Sequence, residues 1–260
     1  MGLIKTSGIV LKTTRYGDTS LIVTVLTRDF GKISAIAQGG RTNRSKMLAG
    51  LQLFSFSEIV MYKAKSKAGL YHLDEMTVSE GFSSIRADLD KMAYAAYFAE
   101  VCIGAATEDS DESEMLGLLL NTLYALDKEL CDYEKIKTVF EWRLAAIEGY
   151  APQLETCGGC GEDKELYGLS YKDGTVLCRK CADGAGGIAQ LSTGMIKIIE
   201  YISGCEAKKL FAFEANQKTV NYLSRVSEGY ISIQLDREFK TLDYLKNVRA
   251  LGETVNAEKN

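Results

Sequence analysis

The sequence predicts an α+β chain of more than one domain: a small all-β barrel first, then a helical domain with a cysteine module embedded in it. Three observations carry this. Apolar residues alternate at period two up to about residue 80. From Leu89 onward they recur at helical spacing instead. Two Cys-x2-Cys pairs stand between two of the helical stretches.

The alternation defines five strands. Ile9 and Leu11 open it, followed by Leu21, Val23 and Val25, then Ile33, Ala35 and Ala37. Phe54 and Phe56, then Ile59 and Met61, make a fourth strand with a bulge between the pairs. Leu70, His72, Asp74, Met76 and Val78 share one face of a fifth, with Tyr71 and Leu73 on the other. Turns are marked at Gly17-Asp18, Asp29-Phe30-Gly31, Gly39-Gly40 and Lys67-Ala68-Gly69. Between the third and fourth strands, Ser45–Gly50 reads as one or two helical turns closed by glycine. Five short strands with that insertion are the pattern of an OB-fold barrel. A five-stranded SH3-like barrel is the main rival.

The helical part follows in order. Leu89, Met92, Ala93, Ala96, Tyr97 and Val101 form an apolar stripe. A second helix, capped by Asp111 or Ser113, runs to about Leu130, and a third runs from about Tyr133 to Glu148 and stops at Gly149. Ser192 caps a helix through Met195 and Ile202, and further helix fills 216–235 and 242–251. The expected division is a barrel at 1–80, a helical domain at 81–153 and 188–252, a cysteine module at 154–187, and a frayed polar tail at 253–260.

Composition narrows the function class. No apolar run approaches the roughly 20 residues of a membrane span, and the N-terminus lacks a signal peptide's apolar core. Seven cysteines, an odd number, suit a reducing compartment. The chain is therefore expected to be cytoplasmic. Its net charge of −4 is unevenly spread. Residues 1–80 carry 11 Lys and Arg against 6 Asp and Glu, net +5, whereas residues 81–150 carry 6 against 14, net −8. A basic segment beside an acidic one points to different partners for each.

The sharpest motif is Cys157-x2-Cys160, 17 intervening residues, then Cys178-x2-Cys181. That spacing belongs to zinc sites, and one structural zinc ion is expected there. Four thiolates fill a tetrahedral zinc and leave no place for a reactive water, so no catalysis is expected at it. Gly158-Gly159 allows the tight turn between the first pair. His72, the only histidine, stands far off on a strand and reads as a core or edge residue. Asp29-Phe30-Gly31 lacks every companion of the kinase motif it mimics. Asp88, Asp90 and the Asp109–Glu114 cluster read as helix-start acids. No catalytic residue is assigned, and Cys102, Cys131 and Cys205 read as buried thiols.

The first domain instead carries the elements of a nucleic-acid surface. Arg15 stands at a strand end and Lys32 follows a turn. Arg41, Arg44 and Lys46 cluster after Gly39-Gly40, and Lys63, Lys65 and Lys67 share one face at the end of the fourth strand. Tyr62 and Tyr71 flank that hairpin. Cations track phosphates and aromatics stack on bases, which is what single-strand binding requires. Lysines on a strand edge also serve merely to block edge-to-edge pairing. Two other functions stay open: an adaptor whose barrel binds a protein partner, and, less favoured, a metal-dependent nuclease.

Several segments, in order, resemble the RecO family of bacterial recombination mediators. They are GIVLKTTRYGD from Gly8 to Asp18, GKISAIAQGGR from Gly31 to Arg41, FEWRL from Phe140 to Leu144 and GYAP from Gly149 to Pro152. The two Cys pairs match the family's zinc-bearing branch. The resemblance implies an OB fold, a helical domain with an embedded zinc module, and no enzymatic activity. It implies binding to single- and double-stranded DNA and annealing of complementary strands. It also implies partnership with RecR and the single-stranded-DNA-binding protein and, indirectly, loading of RecA, with the protein associated with the nucleoid. Arg15, Lys32 and Arg41 lie inside matching segments and so become candidate DNA contacts by resemblance as well.

Overall fold

The computed structural model describes residues 2–63 and 70–257, the last six by backbone alone. Five strands come first: β1 (Ile4–Tyr16), β2 (Ser20–Thr27), β3 (Lys32–Ala37), β4 (Phe56–Lys63) and β5 (Tyr71–Glu80). Helices α1 (Ser83–Ala87), α2 (Leu89–Ala105), α3 (Ser113–Asp127) and α4 (Tyr133–Ile147) follow. Then come β6 (Leu166–Ser170), β7 (Val176–Cys178), α5 (Arg179–Ala182), β8 (Ile188–Gln190), α6 (Thr193–Gly204), α7 (Gln217–Gln234) and α8 (Lys240–Ala257). The chain forms two compact units, Met1–Asp127 with Phe239–Asn260, and Lys128–Glu238. Among the described residues no helix is long and apolar enough to cross a membrane.

In the first unit β1–β5 close a barrel in the order β1-β2-β3-β5-β4, with β3 and β5 parallel and the other pairs antiparallel. This is the five-stranded OB-type barrel. Val10, Val23, Val25, Ile33, Ala35, Ile59, Met61, Tyr71, Leu73 and Met76 fill its interior.

Three local expectations are corrected. On β5 the inward residues are Tyr71 and Leu73, then Met76, while His72 is half-buried and Asp74 and Val78 face out. The cause is a register shift between Val60 and Met61 on the partner strand, which places Leu73 opposite Met61 and Glu75 opposite Val60. The extra residue flips the alternation. Ser45–Gly50 forms successive turns rather than a helix. The last helix continues to Ala257, beyond the point where the apolar pattern stops.

Helices α1–α3 and α8 complete this unit. Asp88 caps α2 by accepting from the Lys91 amide at 2.9 Å, and Asp111 accepts from the Ser113 amide at 3.0 Å before α3. Helix α8 returns to α2, where the Glu100 carboxylate accepts from the Thr241 amide at 2.8 Å.

In the second unit α4 packs on α6 and α7. Its contact with α7 is a buried polar row. Lys137 Nζ lies 3.0 Å from Glu141 and 3.3 Å from Glu228, and donates to the Ser224 carbonyl at 3.1 Å. The Ser224 hydroxyl donates to Glu134 and that of Ser227 to Glu141. Trp142 and Tyr230 pack beside it, ring centroids 5.1 Å apart. The cysteine module is a three-stranded sheet ordered β7-β6-β8, with the β6–β7 hairpin turned at Gly174, φ 63°. Strand β8 follows directly on Gly184–Gly187 and is too short to leave a period-two pattern.

Candidate metal centre and nucleic-acid interface

The four module cysteines converge. One knuckle, Cys157 to Cys160, precedes β6, and the other spans the end of β7 and α5. The Sγ atoms of Cys157, Cys160, Cys178 and Cys181 all lie within 4.8 Å of one another. The Cys160 and Cys178 sulfurs are 3.8 Å apart. A tetrahedron with metal–sulfur bonds of about 2.3 Å has edges of about 3.8 Å, so the donor set fits a thiolate-bound metal ion. Gly158 and Gly159 serve by leaving room rather than by unusual backbone angles. A Cβ on Gly158 would come within 2.3 Å of the Thr175 hydroxyl, and one on Gly159 within 3.0 Å of the Cys181 sulfur. The left-handed glycine of this knuckle is Gly161, φ 78°.

The electrostatics of the cluster follow from crowding. Burial pushes the Cys157 thiol up, but amide donors outweigh it and bring the group down to about 6. Two of them are Cys178 at 3.2 Å and Gly159 at 3.4 Å. Hydrogen bonding with Cys178, Cys160 and Cys157 pushes the Cys181 thiol up to about 12. Four thiolates this close need a cation to ionise together. With all four positions taken by sulfur, such an ion would have no open position for a reactive water. Arg179 lies over the Tyr167 ring at 4.6 Å, and of the other cysteines Cys102 is buried while Cys131 and Cys205 are only partly so.

The basic candidates sort by position. Arg15, Arg41, Arg44, Lys46 and Lys63 are exposed. Arg15 ends β1 beside the β1–β2 turn, and Arg41 reaches the same turn, donating to the Asp18 carbonyl at 2.9 Å. Lys63 ends β4 at the β4–β5 connection, with its ammonium 5.5 Å from the Tyr71 ring centroid. Lys65 and Lys67 lie outside the described residues. Lys32 is half-buried, and its ammonium is held by the Ile103 carbonyl at 2.8 Å, near the C-terminus of α2, where a cation meets the helix dipole.

Tyr71 requires a correction. Only 6% exposed, it belongs to the barrel interior, and its ring is not available to a base. Tyr62 stands outside, half-buried, stacked on His72 with centroids 5.2 Å apart and planes 5° from parallel. Tyr16, beside Arg15 and 53% exposed, is a further outward aromatic at the tip of the β1–β2 hairpin, where its place next to Gly17-Asp18 is readable from the sequence. The acidic loop before α3 borders this surface: Glu108 and Asp109 line a 360 Å³ cleft with Lys32 and Lys63.

Two family models match this chain. One, described as "Recombination protein O N terminal", covers residues 1–82, and the other, "Recombination protein O C terminal", covers residues 86–243. The chain belongs to the RecO family. Among its relatives is "DNA repair protein RecO" of Acetivibrio thermocellus, 35% identical, with 95% of this chain and 98% of the relative aligned. A protein of the same name from Alkaliphilus metalliredigens is 31% identical, over 95% and 100% of the two chains. One from Desulfatibacillum aliphaticivorans is 30% identical, over 95% and 97%. RecO membership agrees with the OB-type barrel seen here.

Proposed function

We propose that this RecO-family chain is a non-enzymatic DNA repair protein of recombination. Its barrel binds single- and double-stranded DNA and brings complementary strands together. It works with RecR and the single-stranded-DNA-binding protein, and through them helps load RecA, in the cytoplasm at the nucleoid. Its cysteine cluster holds one zinc ion as a structural staple. The relatives' shared name supports the repair role, and sulfur-only donors support zinc.

One observation carries the DNA reading. The exposed cations stand at the two loops by which OB folds hold oligonucleotides: Arg15 and Arg41 at the β1–β2 turn, Lys63 at the β4–β5 connection. Neutralising phosphates at both ends of one face lets two strands approach without bond chemistry.

The test is the triple reversal Arg15→Glu, Arg41→Glu and Lys63→Glu, the three exposed cations at those two loops. Binding of a labelled single strand is titrated from low to physiological salt. The variant is expected to bind more weakly, with a log–log salt slope flatter by about 0.7 per lost phosphate contact. An unchanged slope would overturn the assignment.

A further inference from the structure

The backbone register draws a continuous rung across the outside of the barrel. Thr14 on β1 pairs with Ile22 on β2, Ile22 with Ile36 on β3, Ile36 with His72 on β5, and His72 with Tyr62 on β4. None of the five side chains belongs to the interior cluster. Ile22, Ile36, His72 and Tyr62 are half-buried, and Thr14 is exposed. The rung begins beside Arg15 and ends beside Lys63, so it joins the two cationic ends of the same face.

Two rings occupy one end of this rung as a flat stack. Their 5.2 Å separation is close to the spacing of neighbouring strands, about 4.8 Å, so each ring stands on its own strand like one page beside the next. The next two positions, Ile36 and Ile22, carry short aliphatic side chains. They form a low apolar floor beside the imidazole. A planar ring laid there would continue the stack.

His72 is also poorly explained by folding alone. Its Nδ1 is buried and has no hydrogen-bond partner among the described residues. An unsatisfied buried polar atom is destabilising. The flat face of this ring completes the row with Tyr62.

We infer that Tyr62 and His72 form a stacking platform for a nucleobase, with Ile36 and Ile22 as its floor, on the path between Arg15 and Lys63. The inference rests on the DNA-binding reading above and adds a base-contacting residue, His72, to its phosphate contacts. Stacking accepts every base, so the platform adds affinity for unpaired strands without reading sequence. Paired bases cannot reach it, so it separates single strands from duplexes.

The experiment compares a thymidine oligomer with an abasic oligomer of equal length, which offers sugar and phosphate only. Wild type, Tyr62→Ala, His72→Ala and His72→Phe are titrated with both, after thermal melts show each variant folded. Each alanine variant is expected to lose about tenfold affinity for the thymidine oligomer, in line with about 1–3 kcal/mol per stacked base. Binding of the abasic oligomer and the salt slope should not change, and His72→Phe should restore the loss. Equal losses on both oligomers, or none, would overturn the platform while leaving the phosphate contacts standing. A wild type that binds neither oligomer would instead overturn the DNA reading and the platform with it.

Discussion

Lys137 shows how much one side chain decides in the second unit. It is 2% exposed, between Glu141 and Glu228, with Glu134 close by. Burial pushes its ammonium's pKa down, but the three carboxylates outweigh it and hold the group above its ordinary 10.5. Replacing Lys137 with Met leaves those carboxylates buried without their cation. The expected loss is about 3–5 kcal/mol in urea unfolding at pH 7. Because the folded-state value is raised, this stabilisation is complete below pH 10.5 and disappears as pH rises through the folded value. Wild-type stability should therefore fall in strong alkali by a component that Lys137→Met lacks. A variant as stable as wild type at pH 7 would refute the account. Lys137 and Glu141 form an i,i+4 pair of the kind usually met on a solvated face, so the sequence hides their burial.

At the scale of elements, strand existence was legible and side-chain direction was not always. Period-two runs located all five barrel strands, because one buried face imposes alternation. Tyr71 was misread as a base platform because a single register shift beside Met61 inverts the parity of β5 from that point. Local sequence does not announce such a bulge. The turn at Asp29-Phe30-Gly31 was legible, but its second task was not. Gly31, φ 62°, lies so close to the loop before α3 that a Cβ would sit 2.2 Å from the Thr107 carbonyl. The Lys32 amide donates to that same carbonyl at 2.9 Å, and the Asp109 amide to the Phe30 carbonyl at 3.2 Å. Gly31→Ala therefore meets both a left-handed backbone and a backbone collision. It is expected to cost about 1–3 kcal/mol from the backbone angle alone, and more once the loop is displaced. Thermal melts should show a lowered midpoint, and hydrogen exchange should show faster amides at Lys32 and Asp109. An unchanged midpoint with protected amides would contradict this.

For the whole molecule, the cysteine pattern and the change of period marked where each kind of structure lies, but long-range docking was invisible. Helix α8 meets α2 through Thr241 and Glu100, and α7 meets the module through Gln234, which donates to the Tyr171 carbonyl at 2.6 Å. Contacts so distant in sequence leave no periodic trace. The same architecture makes metal removal informative, because the barrel and the cysteine cluster belong to different compact units. The barrel has its own apolar interior and uses none of the four module cysteines. The module's two knuckles, by contrast, are tied by a small sheet whose shortest strand has three residues, too little apolar surface to stay folded alone. Chelation should therefore abolish amide protection across residues 157–182 and loosen the contact with α7, while β1–β5 keep theirs. Single-strand binding should survive chelation with the same salt slope, since the proposed contacts all lie on the barrel. Loss of barrel protection on chelation would show that the ion holds more than its own module. Loss of binding with the barrel intact would place DNA contacts on the module, where Arg179 and Lys180 stand between the last two ligands.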